Sequence, residues 1–186
     1  GRRIYDNLRK AMGYILSVHV PIAGLALVPL LFGEPLLLTP LIIALLEMII
    51  DPASSIVFEA EPEERDVMRR PPRSPAERLL DRRLVAASLL LGILAFVCVA
   101  VVFFIGRARG AGEVDLRTLV FVALVTVNIG LIFAHRSFGT SLLDALRRPN
   151  QWLLFGSVGV FAFVIVVITV PGPREIFGLA PMHIDD

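Results

Sequence analysis

The stretch PLLLTPLIIALLEMIIDPASSIVF, residues 35–58, decides how this chain is read. It is long enough to cross a bilayer, which takes about 20 apolar residues in a helix. Yet Glu47 and Asp51 stand in its middle, one helical turn apart. At that spacing both carboxyls project from the same side of a helix. A charge at such depth costs at least ~2.5 kcal/mol, so two of them require a compensating partner. Pro52 follows at once, and because it has no N–H the carbonyl of Met48 loses its helical donor. Two carboxylates and a freed carbonyl oxygen at one level point to a cation site.

This span, residues 36–58, is flanked by four further apolar runs near residues 11–32, 84–105, 119–134 and 152–170. The predicted fold is all-α, a polytopic transmembrane helix bundle of about five spans forming a single membrane domain over residues 1–186. A content of 56% hydrophobic residues and a mean hydropathy of +0.77 exclude an ordinary soluble domain. Cys98 is the single cysteine, which excludes a disulfide framework, and it is expected to be a small core hydrophobe. Three histidines without an HExxH or CxxC pattern argue against a zinc enzyme. The chain begins Gly-Arg-Arg without an initiator Met and reads as a segment of a longer protein.

Five spans place the two ends on opposite sides of a membrane. Most of the 18 Lys and Arg fall in residues 1–10, 59–83 and 135–151, leaving Arg107, Arg109, Arg117 and Arg174 on the other side. The positive-inside bias therefore predicts a cytoplasmic amino-terminus, in the plasma membrane of a prokaryote, with 59–83 and 135–151 as cytoplasmic loops. Gly33-Glu34-Pro35 is predicted to be a tight hairpin turn between the first two spans. In the 59–83 loop, Ser74-Pro75-Ala76-Glu77 forms a capping box that predicts a helix running into the third span. Leu142, Leu143 and Leu146 predict a short interfacial helix in the 135–151 loop. Asn150 is a cap for the fifth span, with Trp152 at the water boundary. His135 and Arg136 are expected to snorkel from the end of the fourth span.

The first span holds Ser17, His19, Pro21 and Pro29, and the fourth holds Thr126 and Asn128. At about 1.5 Å per residue, His19, Asp51 and Asn128 each lie roughly 10 Å from the same side, with Glu47 deeper, near the midplane. The candidate cation ligands are therefore Asp51, Glu47, His19 and Asn128, with Asp51 and Glu47 the foremost candidates for a metal ion of unknown identity. Competing readings stand beside these. Asn128 could be an interhelical hydrogen-bond contact, and His19 could bond to a backbone carbonyl. Ser54, Ser55 and Thr126 are expected to bond back to their own helices. Two neighbouring carboxyls in apolar surroundings resist joint ionisation, so cation uptake is expected to release a proton.

These residues, in this order, resemble a known family. The opening GRRIYDNLRKAMGYILS is similar to the stalk and fifth span of P-type cation-transporting ATPases, and MRRPPR, residues 68–73, to the loop after their sixth span. Asp51, eleven residues before Pro62, falls where that family has its sixth-span ion-binding Asp. VTVNIGLIFAHRS, residues 125–137, resembles the eighth span, and PNQWLLFGSVGVF, residues 149–161, the ninth. The resemblance implies a pump whose membrane helices bind cations alternately from two sides, driven by an aspartyl phosphate made on cytoplasmic domains. It also implies departures from the calcium pumps. They carry Asn at the positions of His19 and Glu47, an acidic residue at Ile22 and at Asn128, and Thr at Ile50; Asp51 alone is kept. Calcium prefers six to eight oxygen ligands, whereas His and Glu also suit a transition metal or a proton.

No DKTGT and no GxxxxGK motif occurs, so this segment alone is not expected to hydrolyse ATP. ATP and Mg would act only in domains outside it, and the segment itself would carry no cofactor beyond the transported cation. Its expected partners are the lipid bilayer and the amino-terminal spans and phosphorylation domain of the same pump, coupled through residues 1–10 and 59–83; no nucleic-acid partner is expected. The alternative reading is a non-catalytic split or truncated membrane subunit that only binds a partner. A stand-alone secondary transporter would call for inverted repeats, and none is visible.

Overall fold

A computed structural model describes residues 2–31, 33, 36–63, 79–136 and 150–181. Five of its helices are long and apolar enough to cross a membrane. They are α1 Arg2–Leu31, α2 Pro40–Glu59, α3 Arg82–Ala108, α4 Glu113–Arg136 and α5 Gln151–Thr169, followed by a short α6, Pro171–Phe177. Among the described residues no strand occurs.

Helix ends follow local chemistry rather than the edges of the apolar runs. α1 runs unbroken from the basic stalk into the span, so it begins nine residues before the predicted span start at 11. α2 starts at Pro40 rather than 36, because Thr39 caps it. The Thr39 hydroxyl accepts from the Ile42 N–H at 3.3 Å, and Pro40 supplies the fixed φ that suits a first turn. Leu37 and Leu38 precede the helix and are buried. α1 ends at Leu31 and α2 starts at Pro40, so the connection is residues 32–39 rather than the predicted three-residue turn; within it Gly33 takes φ 69°, a left-handed conformation open to glycine, while Glu34 and Pro35 lie outside the described residues.

α3 departs from expectation. Its own cap is Asp81, whose carboxylate accepts from the Leu84 N–H at 2.7 Å, so no continuous helix runs from the 59–83 loop into it. The capping box at Ser74 and the interfacial helix of Leu142, Leu143 and Leu146 lie outside the described residues. α4 starts ahead of its apolar run, because Glu113 and Asp115 in its first turn suit the positive end of a helix dipole. Asn150 caps α5 as the sequence suggests, its side-chain oxygen accepting from the Leu153 N–H at 3.1 Å.

Within a membrane, water exclusion does not drive helices together, so packing and hydrogen bonds must hold the bundle. α1 sits at its centre against α2, α3 and α4, while α5 packs on α2. Tyr14, Val18, Ile22 and Leu25 of α1 share one core with Ile42, Leu45 and Leu46 of α2 and with Val120, Phe121 and Leu124 of α4. Gly92 of α3 lets the backbones approach closely. A Cβ there would lie 2.7 Å from the Ser17 carbonyl. This is the same carbonyl that Pro21 deprives of its helical donor. Leu90, Leu94 and Phe104 of α3, and Leu154 and Phe155 of α5, point outward as lipid-facing side chains do. Cys98 also lies on the exposed face of α3 rather than in the core.

Candidate functional site

α1 and α2 are antiparallel neighbours, and where they pass each other they leave a small, partly open cavity of about 10 Å³. It is lined by Val18, His19 and Ile22 from α1 and by Glu47, Ile50 and Asp51 from α2. The volume suits roughly one water-sized occupant. Val18, Ile22 and Ile50 form a buried apolar wall, while His19, Glu47 and Asp51 stand on the open side of the bundle. The structure thus brings together three of the four residues that the sequence nominates.

Local bonding orients these groups. His19 Nδ1 lies 2.8 Å from the Ile15 carbonyl, which can only accept. The Nδ1–H therefore donates, and in the neutral ring the lone pair sits on Nε2, free for a ligand or a proton. Pro52 leaves the Met48 carbonyl without its helical donor. The buried Ser54 hydroxyl donates to the Asp51 carbonyl at 3.0 Å and so steadies the turn beyond the proline. Thr126 likewise donates to Val122 of its own helix, at 2.8 Å.

Asn128 is elsewhere. It is buried in α4, does not line the cavity, and neither its side-chain oxygen nor its nitrogen has a hydrogen-bond partner among the described residues. Among the described residues no three His, Cys, Asp or Glu side chains converge as a ready-made metal site. What α1 and α2 offer is one open wall with two carboxylates and an imidazole. A hard cation held there would take further oxygen donors from outside these two helices.

At the level where α1 begins and α2 and α4 end, the chain holds a second polar cluster. Arg136 is buried rather than snorkelling: its Nε donates to Glu61 Oε2 at 2.6 Å, and both side chains are 1% exposed. Asn150 Nδ2 donates to the same carboxylate oxygen at 2.9 Å. The Glu61 carbonyl accepts from Asn7 Nδ2 at 2.9 Å and from Arg3 Nε at 3.1 Å. His135 is also buried, with Nε2 2.7 Å from Ser17 Oγ. Ser17 has one hydroxyl proton and lies 2.7 Å from the Ser88 carbonyl, so it donates there and accepts from the His135 Nε2–H. The sequence did carry a signal for the Glu61–Arg136 pair. Both residues lie at the ends of α2 and α4, and two such spans, separated by one other, finish on the same side of a bundle.

The family described as "Cation transporting ATPase, C-terminus" matches residues 35–186. The chain belongs to this family. Relatives in the cation-transporting ATPases include a "Calcium-transporting ATPase" of Bacillus subtilis, 29% identical over 178 residues and 95% of this chain. They also include a "Probable cation-transporting ATPase F" of Mycobacterium tuberculosis, 27% identical over 184 residues and 99% of this chain. The "Cation-transporting ATPase pma1" of Synechocystis is 26% identical over 189 residues and 98% of this chain. The chain spans about a fifth of the length of these relatives, 20% for the first two and 21% for the third. It is the carboxy-terminal membrane region of a P-type ATPase, and with five span-length helices it is an integral membrane protein.

Proposed function

We propose that this chain is the cation-binding and translocation segment of an ATP-driven cation pump. Asp51 and Glu47 are its ion ligands, His19 is a third ligand or a proton carrier, and Asn128, buried in α4, stands apart from them. The observation that supports this is the shared cavity, which His19, Glu47 and Asp51 line together between two antiparallel helices. Deep carboxylates persist where they do work on ions or protons, and here they stand beside a carbonyl freed by Pro52.

Family membership supports the coupling scheme. The energy would come from ATP and Mg in cytoplasmic domains of the same longer protein, with residues 1–10 and 59–83 as the points of contact. The arginine distribution supports a cytoplasmic amino-terminus. Ile22 and Ile50 wall the cavity with hydrocarbon, which disfavours an all-oxygen calcium shell and favours a smaller or softer ion, or a proton.

ATPase activity of the full-length protein, measured across a panel of metal ions, tests the reading. Asp51→Asn and Glu47→Gln should each raise the activating concentration of the preferred ion by about tenfold or abolish activation. Wild-type ion dependence in both variants would show that the ion binds elsewhere. Proton movement opposite to the cation, followed in sealed vesicles, is expected alongside.

A further inference from the structure

Glu61 lies two residues beyond the end of α2 and ten beyond Asp51. Its two halves are held by different helices. The carboxylate accepts from Arg136 at the end of α4 and from Asn150 at the cap of α5. The backbone carbonyl accepts from Arg3 and Asn7 of α1. One residue thus ties four helix ends together.

We propose that Glu61 is a positioning residue for the cation site, an inference that rests on the reading of Asp51 and Glu47 as ion ligands. The bonds to Glu61 join the two walls of the cavity, because α1 carries His19 and α2 carries Glu47 and Asp51. Pro52 makes α2 locally weak between the ligands and its end. With the end held, the turn beyond the proline cannot swing, and Asn150 Nδ2 adds a further contact, 3.3 Å from the Val57 carbonyl. Net stability does not explain the ion pair. Pairs as buried as Glu61 and Arg136 contribute little against apolar replacements of similar volume, and their best-attested use is to fix register. The register fixed here is the depth and rotation of Asp51 relative to His19.

The test uses the full-length pump and two readouts, thermal unfolding and cation activation of ATPase. The variants are Glu61→Gln/Arg136→Met, which removes both charges together, and Asn7→Ala, which removes one bond to the Glu61 carbonyl. The double variant should unfold close to wild type yet need about tenfold more cation for half-activation, with maximal rate within about twofold. Asn7→Ala should shift half-activation by about threefold in the same direction. A double variant with wild-type unfolding and wild-type half-activation overturns the proposal. If the double variant unfolds early, Asn7→Ala decides, and unchanged half-activation there overturns it equally. Asp51→Asn in the same assay separates the two readings. If Asp51→Asn activates as wild type, the cation site itself is wrong and the positioning role falls with it. If Asp51→Asn is impaired while the double variant is not, only the positioning role falls.

Discussion

Arg136 shows how far a side chain's role can depend on residues distant in sequence. Read alone, an Arg at the end of an apolar run snorkels to water. In the fold it meets Glu61, 75 positions away, and both are almost fully buried. Removing one partner of such a pair leaves an uncompensated buried charge. Arg136→Ala should therefore destabilise the protein by about 3–5 kcal/mol, seen as a clear loss of melting temperature in detergent. A melting temperature equal to wild type would mean that Glu61 finds water or another cation. Residues whose partners are local were legible: Asn150 caps the helix it precedes, and Thr126 bonds to its own helix. Glu47, Asp51 and His19 were legible as neighbours because helical spacing puts the two carboxyls on one side of α2 and span depth puts His19 near the level of Asp51. Asn128 lies at a similar depth, but depth alone does not fix the face of α4 on which it stands, and it lies outside the cavity.

Among the elements, α1 and α3 depend on close approach. A Cβ at Gly92 would lie 2.7 Å from the Ser17 carbonyl and 2.8 Å from Val20. Gly92→Val should force the helices apart and cost about 1–3 kcal/mol, read as a lower melting temperature; an unchanged one would show that α3 shifts freely. The start of α3 answers to pH. The Leu84 N–H, and then Arg9, hold the Asp81 carboxyl below the usual carboxylate range. A lowered folded-state value means that the cap's contribution is present above the usual carboxylate range and is lost as pH falls through the lowered value. Amide exchange at Leu84, corrected for its intrinsic pH dependence, should show protection falling as the solution is acidified, whereas Asp81→Asn should keep the cap and lose that dependence. Equal pH dependence in both would remove Asp81 from the explanation. The existence of every span was legible, because apolar length is a strong signal. The starts of α2, α3 and α4 were not, because Thr39, Asp81 and the acidic first turn of α4 set them by single hydrogen bonds and dipole contacts.

For the whole molecule, five span-length helices put residues 2 and 169 on opposite sides of any membrane they cross. Arginine placement supports the proposed cytoplasmic amino-terminus. In a Cys98→Ala background, Gly110→Cys should react with a membrane-impermeant thiol reagent added to intact cells, and Glu63→Cys should react only after lysis. The reverse pattern would invert the proposed topology. His19, Glu47 and Asp51 stand on a face that these helices leave open. The chain spans about a fifth of its relatives' length, and the proposed function has further parts of the same pump cover that face. The central claim is that this open face holds the transported ion, and cation activation of ATPase in the full-length protein tests it most directly. Asp51→Asn should need about tenfold more of the preferred ion, or fail to respond to it; activation at the wild-type concentration would contradict the account.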